Sequence, residues 1–458
     1  MLLSLIGCAS IECGAGTAEQ AGVCRPVEAG ADTGADSGTA DSGDSADTAD
    51  GDVGPLEVYL LAGQSNMDGY AFYPGLPPSD QVADPRVPLY WSGWGEFRDL
   101  QPASYGGAAY VGPEVTLGRS LADAGRRVVL VKHAVGGTDL ANFWYPGSVP
   151  GDFTAGEGFV VLMDSVEAAT EALDAAGEPW VWGGFVWMQG ESDALDLSMA
   201  HAYEENLVGL LAAVREITDT PELPATIGMI STESAWTYSG IVRDAEIAVG
   251  EADPNVRIVE TDDLPRNVLD VYHYDSVSNR VLGQRFASAI LSGADVGPGA
   301  DAPVAAFTLG AGRADYDFTG TCGWEFTTEV PIGVTDLGAY GSSYLTVSVD
   351  VGLWDAAGNL RVRANVPSWY DAPAVWRGSV WYVAIDPVVL EPGTYRLGMV
   401  SWTGDADRYL NDATGTYASG IGYSAAVYAE GYWLTYPSTS FESATMSFLG
   451  PDFLFVPG

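Results

Sequence analysis

Apolar and polar positions follow two different patterns along this chain, and the change occurs near residue 300. From Leu56 to about Leu291, short apolar runs alternate with amphipathic stretches of helical period. The pattern predicts strands at 57–63, 127–137, 180–190, 224–231 and 256–260, and helices at 112–125, 158–177, 200–217 and 278–293. Because nearly continuous apolar strands that alternate with helices are typical of parallel sheets covered on both faces, we predict a three-layer α/β/α sandwich with a parallel sheet.

The second pattern has a period of two residues and follows a stretch rich in Gly, Pro, Ala and Asp. Short alternating runs stand between turn residues, among them 344–355, 378–390 and 393–402. Such alternation is typical of antiparallel sheets with one buried face. We therefore predict an α/β domain at 55–293, a linker at 294–305 and an all-β sandwich domain at 306–458.

The N-terminal residues match neither pattern. Residues 1–27 begin with the short apolar run MLLSLIGCAS, which resembles a bacterial lipoprotein lipobox with Cys8 as the acylated residue. Cys13 and Cys24 are expected to close a small disulfide loop in an oxidising compartment, which leaves Cys322 unpaired. We expect an exported protein, lipid-anchored at the bacterial cell envelope or secreted. A start further upstream and a plain hydrophobic end are the alternatives.

Residues 28–54 repeat Asp with Thr, Ser, Gly and Ala and contain no aromatic or basic residue. Such a composition cannot bury enough apolar surface to offset the entropy lost on ordering, so we predict a disordered acidic linker. Behind a lipid anchor it would hold the folded domains away from a membrane. An ordinary disordered tail is compatible with the same residues.

Charge removes one class of partner. The chain has 62 acidic and 19 basic residues, a net charge of −43, and its single lysine is Lys132. Duplex binding requires clustered basic residues that displace counterions, so we expect no nucleic-acid partner. The acidic excess instead predicts a solvated, self-repelling surface.

Residue types used in acyl transfer follow the ends of several predicted strands. Ser65 follows the first strand, Gly136 and Gly137 end the second, and Gln189 ends the central one. Sites in open α/β sheets form at the carboxyl ends of strands, so these groups should share one edge. A serine nucleophile also needs a base, an acid that orients the base, and donors to the oxyanion.

The base can be chosen by elimination, because the chain has three histidines. His133 lies within an apolar strand and is expected to be a packed core residue, while His201 lies at the start of an amphipathic helix and is expected to be exposed. His273 stands on a predicted loop, three residues after Asp270. That spacing lets the carboxylate accept the imidazole N–H and fix the tautomer.

Several segments together resemble the SGNH-hydrolase esterases of the sialate O-acetylesterase and family 6 acetyl xylan esterase type. They are LAGQSNMDG (61–69), GPEVTLGRSL (112–121), HAVGGTDLANFW (133–144), WMQGESDA (187–194) and DVYHYDSVSNRVLGQRFA (270–287). The resemblance covers about 240 residues, nearly the whole predicted α/β domain.

The resemblance implies a role for each matching residue. It makes Ser65 the nucleophile, with its own N–H as one oxyanion donor, and His273 with Asp270 the base and its orienting acid. Gly137 would give a second donor, with Gly136 as the adjacent alternative, and the side-chain amide of Gln189 a third.

Two positions depart from the family's pattern. Met188 replaces a frequent histidine, and Asp139 stands where Ser or Asn is expected. The first concerns hydrogen bonding around the site, and the second the substrate pocket.

The remaining candidate features receive structural interpretations first. Glu191 and Asp193 lack a nearby His or Cys at ligand spacing, so we expect buried hydrogen bonding rather than a metal, and no cofactor. The aromatic segment 180–187 is expected to be core, while 90–97 is either core or pocket lining. The C-terminal domain resembles a sandwich module of secreted bacterial enzymes, which could contact polysaccharide or brace the catalytic domain.

These observations predict a carboxylic ester hydrolase. We expect a serine esterase that removes O-acetyl groups from carbohydrate, such as acetylated xylan or O-acetylated sialic acid, through an acyl-enzyme. The alternative is a catalytically silent carbohydrate-binding or adhesion protein that uses the same scaffold.

Overall fold

The structure of this chain is a computed structural model. The chain forms two compact units, Met1–Val53 and Gly54–Gly458. The structure describes residues 17–20, 23–26, 54–147, 154–233, 235–268, 270–299, 301–312, 318–341, 345, 347–368, 374–402, 410, 413–441 and 449–457.

In the first unit, a hairpin joins two short antiparallel strands, β1 (Thr17–Gln20) and β2 (Val23–Pro26). The predicted acidic linker, Cys8 and Cys13 lie outside the described residues, so the lipid anchor and the disulfide stay predictions. Cys322 is buried and free, as expected.

Strands and helices alternate through the first part of the second unit. Its strands are β3 (Leu56–Gly63), β4 (Ala71–Phe72), β5 (Asp84–Trp91), β6 (Glu96–Leu100), β7 (Tyr110–Val111), β8 (Val128–Ala134), β9 (Trp180–Met188), β10 (Ala225–Gly228), β11 (Val256–Val259), β12 (Arg266–Asn267) and β13 (Asp270–Tyr274). Its helices are α1 (Ser65–Asp68), α2 (Glu114–Asp123), α3 (Glu157–Ala176), α4 (Leu197–Ile217), α5 (Ser239–Ala252) and α6 (Ser276–Ser292). Short 3₁₀ helices span Tyr73–Gly75, Pro78–Gln81 and Asp193–Leu195.

A seven-stranded sheet forms the centre of this region, in the order β11-β10-β9-β3-β8-β5-β6. Its strands are parallel except for β6, which pairs antiparallel with β5 at one edge. Apolar side chains on the two faces of the sheet belong to two separate buried clusters, one with α3, α4 and α5 and the other with α2 and α6. The predicted three-layer α/β sandwich is thereby confirmed, and the central strand β3 ends at the nucleophile candidate.

The rest of the unit is built from antiparallel strands. They are β14 (Val304–Ala305), β15 (Phe307–Leu309), β16 (Gly320–Thr328), β17 (Ile332–Tyr340), β18 (Val349–Asp355), β19 (Leu360–Val366), β20 (Val375–Arg377), β21 (Val380–Leu390), β22 (Gly393–Ser401), β23 (Gly415–Tyr417), β24 (Ile421–Glu430), β25 (Thr439–Phe441) and β26 (Pro451–Pro457). Their two main sheets run in the orders β14-β26-β17-β21-β20 and β19-β18-β22-β16-β24-β25. One buried cluster, centred on Trp324, Phe326 and Phe453, packs between them, as the period of two predicted.

Helix α5 and strands β5 and β6 are among the elements of the α/β region that were not predicted. Helix α5 buries Val242, Ala245 and Val249 against the sheet, but a buried Glu246 interrupts its apolar face. Strands β5 and β6 lie within 70–111, where prolines and glycines obscured the alternation. Among the described residues, no helix is long and apolar enough to cross a membrane.

Candidate active site

The nucleophile candidate stands on a sharp turn at the end of the central strand. Gly63, the last residue of β3, has φ +147°, and a Cβ placed on it would lie 2.0 Å from the carbonyl oxygen of Met188. Any side chain there would clash with backbone, so the turn requires glycine. Ser65 then begins α1, in which the backbone N–H groups of Met67 and Asp68 donate to the carbonyl of Gln64 at 2.9 and 2.7 Å. The turn thus places the Ser65 hydroxyl at the N-terminal end of this short helix.

The Asp270–His273 pair is formed as the spacing predicted. Nδ1 of His273 lies 2.5 Å from Oδ2 of Asp270, and Oδ1 of the same carboxylate accepts the backbone N–H of Tyr272 at 3.0 Å. When Nδ1 donates to the carboxylate, the neutral ring keeps Nε2 as its acceptor. The pair lies on the short strand β13 rather than on the predicted loop, so the backbone as well as the spacing fixes it.

Asn66 joins the nucleophile turn to the histidine strand. Its Nδ2 donates to Oε1 of Glu191 at 2.7 Å and to the carbonyl of Tyr272 at 3.4 Å, and its Oδ1 accepts the backbone N–H of Tyr274 at 3.3 Å. The residue next to Ser65 therefore bonds to the backbone on both sides of His273. Asn66 was assigned no role from the sequence, because its partners lie far away along the chain.

Tyr70 packs against the imidazole and was not predicted. Its ring is stacked on that of His273, with centroids 4.4 Å apart and planes inclined by 13°. Burial, with the charge of Asp68 as the next cause, raises the pKa of Tyr70. A Cβ placed on Gly136 would lie 3.0 Å from the Tyr70 hydroxyl and 3.4 Å from Cβ of Ser65. Tyr70, Gly136, Ser65 and His273 are thus neighbours.

The two glycines after β8 differ in their surroundings. The backbone continues beside β3, because Val135 N–H donates to the carbonyl of Gly63 at 3.0 Å. Gly137 has φ +73° and is exposed, and a Cβ placed there would meet open space. Of the two glycines, Gly136 is the one whose added Cβ would come near Ser65, and Gly137 is the next residue along the chain.

The side-chain amide of Gln189, expected to donate to the oxyanion, is bonded within the protein. Its Nε2 donates to Oδ2 of Asp193 at 2.6 Å and to the carbonyl of Thr138 at 2.9 Å, and lies 3.2 Å from Oε1 of Gln64. The side chain is fully buried. Both amide hydrogens are engaged within the protein, so the structure does not support direct donation from Gln189 to an oxyanion. The amide instead links the ends of β3, β8 and β9.

Glu191 and Asp193 have the hydrogen-bonding roles expected for them. Glu191 accepts from Asn66, and burial raises its pKa. Burial likewise raises the pKa of Asp193, which accepts backbone N–H groups of Leu140 and Ala141 at 2.8 and 3.2 Å. The described residues contain no group of three His, Cys, Asp or Glu that could hold a metal ion.

The other two histidines behave as predicted. His133 is buried, its Nδ1 lies 2.7 Å from Oγ of Ser92, and burial lowers its pKa to about 4. His201 is exposed on α4. In the segment 180–187, Phe185 and Trp187 are buried in the core, while Trp180 and Trp182 are partly buried against the same cluster and Val181 is exposed, so the core interpretation holds for the second half of the segment. In the segment 90–97, the aromatic residues of β5 are buried, which favours core packing.

Met188 and Asp139, the two residues that depart from the family's pattern, both have contacts within the protein. Met188 is fully buried, so its side chain packs in the core. Asp139 accepts the backbone N–H and the side-chain amide of Asn142 at 2.6 and 2.8 Å. It therefore stabilises the loop after Gly137.

Comparison with known proteins assigns the α/β region to a family. The family described as "Carbohydrate esterase, sialic acid-specific acetylesterase" matches residues 55–292, which is more than half of the chain. A protein of Arabidopsis thaliana named a probable carbohydrate esterase is 25% identical over 260 residues, which cover 52% of this chain and 92% of the relative.

Similar solved structures come from several sources. An Arabidopsis thaliana protein is 20% identical, with a TM-score of 0.44 over 52% of this chain and 99% of its own. NanS is 17% identical, with a TM-score of 0.39 over 52% of this chain and 97% of its own. A carbohydrate acetylesterase from Xanthomonas citri is 14% identical, with a TM-score of 0.39 over 87% of this chain and 78% of its own.

The match to the family includes the turn with Ser65, the glycines after β8, and the strand with Asp270 and His273. The chain therefore belongs to the carbohydrate esterase, sialic acid-specific acetylesterase family, and it is a carboxylic ester hydrolase.

Proposed function

We propose that this protein is a serine esterase that removes O-acetyl groups from carbohydrate through an acyl-enzyme. The substrate would be an acetylated polysaccharide such as xylan, or O-acetylated sialic acid. One observation carries the proposal. His273 lies 2.5 Å from Asp270 on strand β13, and Asn66, the residue after Ser65, forms hydrogen bonds with the backbone of that strand. A scaffold that only binds sugar needs no such pair.

The proposed reaction begins with attack of the Ser65 hydroxyl oxygen on the ester carbonyl carbon. Nε2 of His273 takes the hydroxyl proton, and Asp270 stabilises the imidazolium. The bond between the acetyl carbonyl carbon and the sugar oxygen then breaks. The imidazolium gives its proton to that oxygen, which leaves as a sugar hydroxyl. Water repeats the attack on the acetyl-Ser65 ester, which releases acetate and restores the serine.

The negative charge of the tetrahedral intermediate requires donors that are already in place. We propose the backbone N–H of Ser65 and that of Gly137, with the N–H of Gly136 as the adjacent alternative. Both segments lie at the carboxyl edge of the sheet, and Gly136 is close to Cβ of Ser65. Gln189 contributes indirectly, because its buried amide holds the strand ends together.

Acetate release from a panel of acetylated glycans tests the reaction and the substrate together. The panel would contain acetylated xylan, an acetylated pectin-like polymer and O-acetylated sialic acids. The wild-type chain should release acetate from at least one member, and Ser65→Ala should release none above the rate without enzyme. Equal release by both proteins would exclude Ser65 as the nucleophile. Sugar binding without release would support the silent adhesion protein.

We also propose that the sandwich contacts polysaccharide through an aromatic loop. Tyr432 and Trp433 are 71% and 81% exposed, and exposed aromatic rings can stack on sugar rings. The loop is anchored, since Oγ1 of Thr435 donates to the carbonyl of Trp433 at 3.0 Å and the backbone N–H of Thr435 donates to Oγ1 of Thr321 at 2.9 Å. The exposed rings therefore project from a fixed backbone.

Co-sedimentation with insoluble xylan tests this loop. Trp433→Ala should reduce the bound fraction, while Val389→Ala, an equally simple truncation of a 57% exposed side chain, should not. Equal binding by both variants would contradict the proposal.

Export and lipid anchoring through Cys8 stay predictions. Metabolic labelling with a palmitate analogue in a bacterial host should mark the wild-type chain and not Cys8→Ser. Labelling of both, or of neither, would count against an anchor at this residue.

A further inference from the structure

The sandwich reaches the catalytic histidine strand through one arginine. Arg377 ends the edge strand β20, and the turn to β21 contains two residues with positive φ, Gly378 at +55° and Ser379 at +76°. Two consecutive left-handed residues are typical of a tight hairpin, which fixes the direction of the flanking strands. Arg377 is thus presented from a rigid turn at the edge of its sheet.

Asp275, two residues after His273, is the partner of Arg377. Nε of the guanidinium donates to Oδ2 at 2.9 Å, and Nη2 lies 2.8 Å from both carboxylate oxygens. The side chains are 17% and 5% exposed. A planar guanidinium that binds a carboxylate with two nitrogens restricts orientation as well as distance.

The same carboxylate caps the helix that follows the histidine. Oδ1 of Asp275 accepts the backbone N–H of Ser278 at 2.8 Å, and Nη2 of Arg377 lies 3.1 Å from the hydroxyl of Ser278. That hydroxyl donates to the carbonyl of Pro265 at 2.6 Å. Arg377 therefore contacts a compact network at the junction of β13 and α6.

The second half of the histidine strand and the residue after it are consequently held by two different parts of the chain. On the nucleophile side, Asn66 bonds to Tyr272 and Tyr274. On the other side, Arg377 holds Asp275. A second ion pair, in which Nη2 of Arg280 lies 2.8 Å from Asp336, also joins α6 to the sandwich, one and a half turns further along the helix.

We propose that Arg377 is a positioning residue for the esterase reaction, through which the sandwich holds His273 in line with Ser65. The inference rests on the proposed function, because it assigns His273 the role of base. Loss of the contact would leave α6 capped by Asp275 and Tyr274 bonded to Asn66, but would remove the ion pair that fixes the residue after β13. Small displacements of a catalytic base slow the chemical step more than they weaken binding.

Kinetics of p-nitrophenyl acetate hydrolysis test the proposal. Arg377→Met should lower kcat about tenfold and change KM by less than about twofold, because the histidine moves while the acyl site stays. Arg396→Met is the matched control: Arg396 also donates through Nε to a carboxylate, that of Glu325 at 2.8 Å, but within one sheet of the sandwich. It should keep the wild-type kcat.

Coupling to Asp275 separates positioning from general loss of stability. Asp275→Asn keeps a good helix cap but removes the charge, so it should reproduce the loss of kcat, and the double variant should lose no more than either single variant. A wild-type kcat in Arg377→Met would overturn the proposal, and so would additive losses. If Arg377→Met does not fold, a wild-type kcat in Asp275→Asn would overturn it equally.

The His273→Ala variant distinguishes failure of this inference from failure of the proposed function. If His273→Ala keeps the wild-type rate, His273 is not the base and the proposed function is wrong, whatever Arg377→Met does. If His273→Ala is inactive while Arg377→Met and Asp275→Asn are fully active, only the role of Arg377 is wrong.

Discussion

Asn66 shows how single residues, rather than elements, bring this site together. Ser65 and His273 are 208 positions apart in sequence and belong to separate secondary-structure elements. Asn66 bonds to the backbone beside His273 and to the buried carboxylate of Glu191. Removing its side chain would therefore loosen the histidine strand and leave that carboxylate without its amide donor.

We expect Asn66→Ala to reduce kcat for p-nitrophenyl acetate by about ten- to a hundredfold. Unfolding in urea should show a loss of about 1 to 3 kcal/mol, because a buried acceptor loses its partner. Asn365→Ala is the control, since the amide of Asn365 also donates to a carboxylate, Oδ1 of Asp350 at 2.7 Å, on the exposed side of the sandwich. A variant of Asn66 with the control's kcat would contradict the linking role.

Asp452 is the residue from which a pH effect on stability can be predicted. It is buried in the sandwich, Tyr382 donates to its Oδ2 at 2.6 Å, and burial raises its pKa to about 7. The folded state therefore binds the proton more tightly than the unfolded state, whose carboxyl titrates near its usual value of about 4. Between these two values the contribution of Asp452 to stability falls as pH rises, and above about pH 7 its cost is complete.

Asp452→Asn should remove this cost. At about pH 4, where the wild-type carboxyl is already neutral, the two proteins should have similar free energies of unfolding. At about pH 8 the variant should be more stable, by a few kcal/mol at most. Urea unfolding at both pH values measures the difference, and a difference that does not depend on pH would contradict the shift.

At the scale of elements, a buried ion pair fastens α2 to β8. Nζ of Lys132 lies 2.8 Å from Oε2 of Glu114, and both side chains are fully buried. The ammonium also donates to the carbonyls of Asp68 and Ala103 at 2.8 and 2.6 Å. The chain's single lysine is thus buried and bonded to the last residue of α1, the short helix that Ser65 begins.

Lys132→Met should destabilise the protein by about 3 to 5 kcal/mol, because it leaves a carboxylate buried without a counter-charge. The double variant Lys132→Met/Glu114→Gln should recover part of this loss, since no charge then remains buried. Urea unfolding compares the wild type, Lys132→Met, Glu114→Gln and the double variant. A double variant as unstable as the sum of the single variants would show that the two groups do not interact.

The elements that the sequence predicts well are those with one clear period. Strand β3 and helix α3 were predicted within one residue of each boundary, because β3 is a nearly continuous apolar run and the apolar positions of α3 keep to one face. Helix α5 was missed since Glu246, which accepts the backbone N–H of Ile230, is polar at a buried position. The local pattern of apolar positions cannot predict a buried carboxylate on a helix when its partner, Ile230, lies in the segment after β10.

The site shows the same limit. Asp270 and His273 could be paired from their spacing in sequence, although they meet on the short strand β13 and not on the turn that this spacing suggested. The hydrogen bonds of Gln189 could not be predicted. Its acceptors belong to residues 64, 138 and 193, which only the folded sheet brings together. Arg377 has no signal near it in sequence, because its partner is 102 residues away.

At the scale of the whole molecule, the dominant property is a net charge of −43. Like charges on the surface repel one another in the folded state and become more distant on unfolding, so they lower stability at low ionic strength. Added salt screens this repulsion, as the Debye length falls from about 30 Å at 0.01 M to about 3 Å at 1 M.

The thermal unfolding midpoint should therefore rise with sodium chloride between about 0.01 and 1 M, with most of the change below about 0.2 M. Differential scanning fluorimetry at constant pH measures it, and glycerol at matched viscosity serves as a control. A midpoint that falls over the same range would show that attractive ion pairs outweigh the repulsion.

The proposed esterase reaction depends most on Ser65 as a nucleophile that His273 activates. Mixing the protein rapidly with p-nitrophenyl acetate should give a burst of nitrophenolate no larger than the enzyme concentration, and peptide mass spectrometry of the quenched sample should find the acetyl group on Ser65. Ser65→Ala should give neither the burst nor the acetylated peptide. An acetyl group on another residue, or hydrolysis by Ser65→Ala at the wild-type rate, would contradict the account.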